Sequence, residues 1–299
     1  MNKTSYGYAS ATFGALFWGI APLYYRILNE FPLIEVVAQR AFWSCIIFFI
    51  VFAIQNRLPE IRLALSSFKN ISLFIICSAL IGTNWLLFIF AIKNGQLMQS
   101  ALGYYIFPLL TAAMGYYFFS ENLEKFTKVA LLFALSATLL KGTTLSNFPW
   151  IAISMATTFA LYTIIRRQLP VKPDTGTMIE TMMLAPVALI YFGWQARNGT
   201  TLFFGENLMG LMLAVFCGLL TIIPLYLFHN GNKVLPLAIA GLIFYLNPTS
   251  QLIISIMLGE PFNVIDLSVF LLIWTGLLIQ FSPLFFKRQY GKKKNTGYE

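Results

Sequence analysis

The chain has 299 residues, 58% of them apolar and only 10% charged, and its mean hydropathy is +0.74. A soluble globule carries roughly 25% charged residues to cover its surface, so the composition excludes a water-soluble domain and makes lipid the solvent. The net charge of +9 does not signal nucleic acid, because runs this apolar build no basic groove.

A bilayer core of about 30 Å is crossed by about 20 apolar residues of helix. Ten such runs follow one another, at 7–28, 33–54, 71–92, 98–119, 126–143, 148–166, 177–195, 208–230, 235–258 and 267–286. Short polar breaks separate them, such as Gln55-Asn56-Arg57-Leu58-Pro59 and Leu169-Pro170-Val171-Lys172-Pro173-Asp174. The runs are continuously apolar, whereas barrel strands alternate. The expected fold is an all-α integral membrane protein with ten transmembrane helices. The fifth run is short and is interrupted by Lys141. Met-Asn-Lys-Thr leads directly into the first run with no small-residue cleavage site, so that run reads as a permanent helix. Cys45, Cys77 and Cys217 lie within runs. They lack metal-ligand or disulfide spacing and read as small packing residues.

With ten spans, the even-numbered links and both termini share one side. All Lys and Arg fall on that side except Arg26, Arg40, Lys93, Lys141 and Arg197. The positive-inside rule then places both termini in the cytoplasm. The basic tail after Phe286 reads as a topology anchor beside anionic lipid.

A shift of 140 residues superposes Arg26 on Arg166, Arg40 on Glu180, Lys93 on Lys233, Tyr105 on Tyr245 and Pro108 on Pro248. Glu121 meets Glu260 after a one-residue slip. Two halves of five spans follow, 1–145 and 146–299. Five is odd, so the second half enters the membrane inverted. Inverted repeats are the architecture of many secondary transporters, with the substrate near the midplane between the halves. Duplicated packing without transport is the other reading.

Polar groups in hydrocarbon mark a pathway or a packing contact. Arg40 and Glu180 are read as a gate or polar pathway, or as helix-to-helix contacts near the headgroups; a direct pair between them is left open. His229 could shuttle protons, but no carboxylate lies near it in sequence, and a hydrogen-bonded core histidine is the simpler reading. The pocket candidates are Trp18, Asn84, Trp85, Tyr104, Tyr105, Tyr245 and Asn247. Asn supplies donor and acceptor, and Trp and Tyr supply flat faces with a polar handle. Pro108 and Pro248 free backbone carbonyls that a neighbour, water or ligand must satisfy. Such a site suits a small amphipathic or aromatic solute. The same aromatics could instead pack helices or form interfacial belts. Gly14, Gly19, Gly82, Gly103, Gly115, Gly218 and Gly241 read as close-approach positions between helices.

Several strings carry a resemblance. They include Trp18-Gly19-Ile20-Ala21-Pro22, Glu35, Arg40 with Trp43-Ser44, and Asn84-Trp85-Leu86-Leu87-Phe88. Others are Ser100-Ala101-Leu102-Gly103-Tyr104, Tyr162, Arg166, Glu180-Thr181-Met182, Pro224-Leu225, Pro248-Thr249 and Gly259-Glu260. On these the chain resembles the RarD-type branch of the EamA family, within the drug/metabolite transporter superfamily. The resemblance implies a ten-helix permease of the bacterial inner membrane that moves small metabolites or drugs. Family members often place a small polar residue before the first proline, where this chain has Phe107; the second half keeps Asn247 there.

The function expected is a secondary transporter working by alternating access, in the direction of export. Its partners would be a small-molecule solute and membrane lipid, with movement down a gradient or coupled to an ion. No cofactor or metal is expected, and the lack of a Gly-x-x-x-x-Gly-Lys-Ser/Thr loop argues against direct ATP drive. A membrane enzyme is disfavoured, since Asp occurs only as Asp174 and Asp266 and the single His is isolated. A lipid-like flippase would need a cavity open sideways to lipid. A receptor or assembly factor would lack any soluble output domain.

Overall fold

The computed structural model describes residues 2–94, 96–143, 149–198, 208–257 and 264–294. They form twelve helices, with no strand among the described residues: α1 (Lys3–Ile27), α2 (Leu33–Ile54), α3 (Leu58–Ala64), α4 (Phe68–Lys93), α5 (Leu97–Phe119), α6 (Lys125–Gly142), α7 (Trp150–Gln168), α8 (Pro173–Arg197), α9 (Leu208–Val234), α10 (Leu237–Phe244), α11 (Leu246–Met257) and α12 (Val264–Lys294). Only helices and closed barrels satisfy every backbone polar group in hydrocarbon. The chain is an all-α membrane protein. Helices α2, α4, α8 and α9 are each long and apolar enough to cross a bilayer, and large side chains such as Phe13, Ile54 and Ile190 face outward. Glu260, and the side chains of the basic tail beyond Phe286, lie outside what is described.

Local chemistry sets the breaks. Helix α2 ends where Asn56 takes a left-handed conformation, φ 53°, which Asn tolerates better than most residues. The expected loop that follows winds into the short α3, with Pro59 in its first turn, where a missing N–H costs nothing. Ser67 caps α4, its hydroxyl accepting from the Asn70 N–H at 3.1 Å,. Ser120 at φ 51° stops α5. The ninth predicted span is two helices rather than one. Pro248 has no N–H to donate to the Phe244 carbonyl, and the chain breaks there, between α10 and α11. Pro108 has the same effect on bonding within α5, yet that helix runs on unbroken.

The packing has a regular pattern. Helix α1 lies against α9 and α11, α2 against α8 and α9, and α4 against α7 and α8. Helix α5 lies against α7 and α10, and α6 against α12. Exchanging α1 with α7, α2 with α8, α4 with α9, α5 with the α10–α11 pair, and α6 with α12 leaves this set of neighbours unchanged.

Two crossings bring backbones together and need glycine. A Cβ on Gly103 would lie 2.9 Å from the Ala152 carbonyl oxygen where α5 meets α7. A Cβ on Gly218 would lie 2.9 Å from the Ser44 nitrogen and the Trp43 carbonyl carbon where α9 meets α2. Backbone cannot step aside as a side-chain tip can, so overpacking there costs about 1–3 kcal/mol. Gly218→Ala is expected to lower the thermal midpoint in detergent by several degrees. Gly193→Ala, with no atom within 4 Å of the added carbon, should leave the midpoint level or raise it.

Candidate functional site

A small cavity of about 40 Å³ lies at the centre of the bundle. It is walled by α1 (Trp18, Ala21, Tyr25), α2 (Arg40), α4 (Ile81, Asn84, Trp85, Phe88) and α5 (Tyr104). The remaining wall comes from α7 (Phe159), α10 (Phe244) and α11 (Asn247, Gln251). A water occupies roughly 10–15 Å³ on this measure, so the conformation is contracted, with room for a few waters. The break between α10 and α11 places Phe244 and Asn247 on the wall. Gln251, one turn on, donates to the Asn247 amide oxygen at 2.7 Å.

The structure brings together five of the seven pocket candidates: Trp18, Asn84, Trp85, Tyr104 and Asn247. Trp18 sits among Phe159, Phe228 and Phe244, ring centres 5.5–5.8 Å away. Tyr104 lies 5.6 Å from Phe244 and 5.9 Å from Phe88. Asn84 donates to the Met155 carbonyl at 2.9 Å and to the Thr158 hydroxyl at 3.2 Å. Tyr105 and Tyr245 are not on the wall. They stack on each other with centres 6.0 Å apart, and the Tyr245 hydroxyl donates to the Tyr105 carbonyl at 2.7 Å. That bond joins α5 to the turn after α10 behind the cavity. Phe107 fills the aromatic cluster, 4.7 Å from Phe159 and 4.9 Å from Phe244. Sequence reading missed Tyr25, Phe159, Phe244 and Gln251. Only the one-turn spacing of Gln251 from Asn247 offered a signal.

Arg40 and Glu180 each lie seven residues inside a helix, and they do not pair with each other. Arg40 joins the cavity wall. Glu180 belongs to a separate buried cluster between α7, α8 and α9. Its Oε1 lies 2.8 Å from Arg166 Nε, with both side chains 1% exposed. That N–H is not aimed at the oxygen, so the contact is charge pairing rather than a directed hydrogen bond. The other Glu180 oxygen accepts from the Tyr162 hydroxyl at 2.9 Å. His229 Nε2 shares a hydrogen bond with the same hydroxyl at 2.6 Å. The carboxylate missing from the sequence neighbourhood of His229 is therefore supplied across the bundle. Arg166 also donates to the Pro173 carbonyl at 3.0 Å and lies against Gly176, where any Cβ would collide with it.

Polar ties hold both ends of the bundle. At one end, Arg57 pairs with Glu60 at 2.9 Å and with Asp174 at 2.5 Å, Lys172 pairs with Glu60 at 2.8 Å, and Arg167 pairs with Glu121 at 2.7 Å. Glu121 also accepts the Leu237 N–H at 2.9 Å, capping α10,. Lys233 Nζ donates to the Leu169 carbonyl at 2.7 Å. At the opposite end, Lys93 Nζ donates to the Asn29 carbonyl at 2.6 Å and Gln195 donates to Glu35 at 3.0 Å. Each of these two lysines reaches a carbonyl 64 residues before it.

Removing one partner of a buried ion pair costs about 3–5 kcal/mol, whereas replacing both by apolar groups is often neutral. Glu180→Leu is therefore expected to cost most of the folded yield and to lower the thermal midpoint sharply. The double variant Arg166→Met/Glu180→Leu should recover a large part of the loss. At the tied end, hydrogen bonds from Arg57 and then Lys172 hold the Glu60 carboxyl far below the usual carboxylate range. A depressed folded value gives stability that is full above the unfolded value of about 4.3 and is lost as the pH falls further. The gap in thermal midpoint between wild type and Glu60→Gln should hold from pH 7 to about 5 and close on acidification below about 4. It should also shrink with salt, because the pair is part-exposed,.

Comparison with known proteins gives the chain its relatives. The EamA-like transporter family matches residues 5–142. The protein RarD of Escherichia coli is 30% identical over 280 residues, covering 93% of this chain and 94% of that one. The uncharacterised transporter YojE of Bacillus subtilis is 31% identical over 293 residues, covering 96% and 97%. One crystal structure superposes with a TM-score of 0.69 at 16% identity, over 93% of this chain and 97% of that chain, and it shares the fold. With these full-length relatives, the chain belongs to the EamA-like transporter family, in its RarD-type branch.

Proposed function

We propose that the chain is a secondary transporter of the bacterial inner membrane, moving a small amphipathic or aromatic solute by alternating access, in the direction of export. Ten membrane-crossing segments would form two inverted halves, 1–145 and 146–299, with both termini in the cytoplasm. The observation that carries this reading is the central cavity, whose wall draws on helices of both halves. The exchange symmetry of the packing supports it, since two like halves could rock open to either side. Membership of a transporter family supports a transport role over a catalytic one.

Two of the even-numbered links are tied together at one end by Arg57, Glu60, Asp174 and Lys172, and the positive-inside assignment would make that end cytoplasmic. Tyr25 lines both the central cavity and a second small pocket that runs to Asn29 and Lys93 at the other end. A short displacement of Tyr25 would join the two and open a path outward.

One feature favours the flippase reading. An apolar cleft of about 230 Å³ opens between α2, α4 and α8, lined by residues such as Val37, Gly82, Leu86 and Leu184. It would suit an acyl chain. Its lining contains no ionisable group to hold a headgroup apart from Tyr191, so solute transport remains the better fit.

Reporter tags on the two ends should both read as cytoplasmic; tags in different compartments would refute the even span count. Metabolite profiles of cells lacking and overproducing the protein should differ in a small set of solutes, and vesicles should then show flux of one of them. Trp85→Ala should weaken apparent affinity for aromatic solutes by about 3- to 10-fold, the worth of one ring contact. An unchanged competition profile would place Trp85 outside the pocket.

A further inference from the structure

Arg40 is a buried cation on the cavity wall. A guanidinium keeps its charge at any accessible pH. This one is 4% exposed, two turns inside α2. Its Nε donates to the Thr221 hydroxyl at 3.0 Å. That hydroxyl has already given its own proton to the Cys217 carbonyl at 2.8 Å, so it is fixed as an acceptor. The guanidinium carbon lies 4.5 Å from the ring centre of Trp85 and 5.4 Å from that of Tyr25. Such ring faces offset only part of the cost of burying one ion. Rings and a neutral hydroxyl do not cancel the charge.

No carboxylate pairs with Arg40 among the described residues. The contrast with its surroundings is direct. Buried Arg166 has Glu180, and Arg57 and Arg167 have acidic partners. Glu35, five residues before Arg40 on the same helix, is bonded to Gln195. In the 140-residue register Arg40 stands where Glu180 stands in the other half. The position that neutralises a cation there supplies a cation here, and it faces the cavity. The second pocket, separated from the first by Tyr25, ends on Lys93. The route is therefore positive at both its inner end and its mouth.

We infer that the cavity binds a small organic anion, a monocarboxylate with an apolar or aromatic body, whose carboxylate takes the free edge of Arg40. One cation matches one negative charge; a phosphate monoester, close to two charges, would need a second cation on the wall, and Arg40 is the one Lys or Arg among the described residues lining the cavity. A guanidinium also offers the planar paired donors that a carboxylate accepts side by side. Trp18, Trp85 and Tyr104 supply the faces for the apolar body. The inference rests on the transport reading for what the cavity is for, and binding separates the two.

The test uses the full chain, purified and held in nanodiscs, with acids and their uncharged amides of equal shape: phenylacetate against phenylacetamide, and hexanoate against hexanamide. Binding is read by calorimetry and by thermal shift. At least one acid should bind tenfold or more tighter than its amide. In Arg40→Gln that ratio should fall to near one, while Arg40→Lys, which keeps the charge but not the paired donors, should retain part of it. The acid-to-amide ratio in the wild type needs no variant, so it decides the matter even if Arg40→Gln does not fold. Amides binding as well as acids, acids failing to bind at all, or a ratio unmoved in folded Arg40→Gln would overturn the anion site. Proteoliposomes then separate the readings: an acid that binds but never crosses sinks transport and spares the site, and an amide that crosses where the acid does not sinks the site and spares transport.

Discussion

Hydrocarbon offers no hydrogen bonds, and every other feature of this protein follows from that. Backbone groups must pair within their own segment, so the described chain is helical throughout. Polar side chains must find partners inside the bundle or sit at its ends. Asn84, Thr221 and Tyr162 each bridge two helices, and Tyr245 ties the turn after α10 to α5. With no hydrophobic drive between helices in lipid, these bridges and close glycine crossings hold the bundle together.

The helix sets α1–α6 and α7–α12, related by the packing exchange, use this chemistry differently. In the second set, an arginine and a glutamate cancel each other and are locked by Tyr162 and His229. The positions 140 residues earlier hold Arg26 and Arg40, both cationic. Arg26 is exposed, and Arg40 turns to the cavity. The packing exchange therefore relates one self-neutralised site, suited to structure, to one with charge to offer. The Phe107 and Asn247 difference follows the same logic, with one proline turn packing rings and the other presenting an amide.

Much of the fold is legible in the sequence because membrane helices declare themselves by continuous apolar length. The ten predicted runs each coincide with a helix or a helix pair, and the breaks fall near the Asn, Pro and charge clusters. The interruption at Tyr245 was not legible, because Pro108 and Pro248 look alike in sequence and only one of them breaks its helix. The site was partly legible. Trp18, Asn84, Trp85, Tyr104 and Asn247 announce themselves as polar or amphipathic groups in apolar runs. Tyr105 and Tyr245 carry the same signal but satisfy each other. Phe159 and Phe244 have none, since a phenylalanine in a lipid-facing run and one on a cavity wall read identically. The partners of Glu180 and Arg40 depend on which helices meet, which residue spacing does not reveal.

The twin lysine ties have a consequence for energetics. Lys93 and Lys233 close opposite ends with the same bond, an ammonium on a carbonyl at the same sequence distance. The settings differ, however: Lys93 meets its carbonyl at an exposed site and Lys233 at a part-buried one, so the two ends are not held alike. In the carrier proposed above, ends held unequally would make one open form easier to reach than the other.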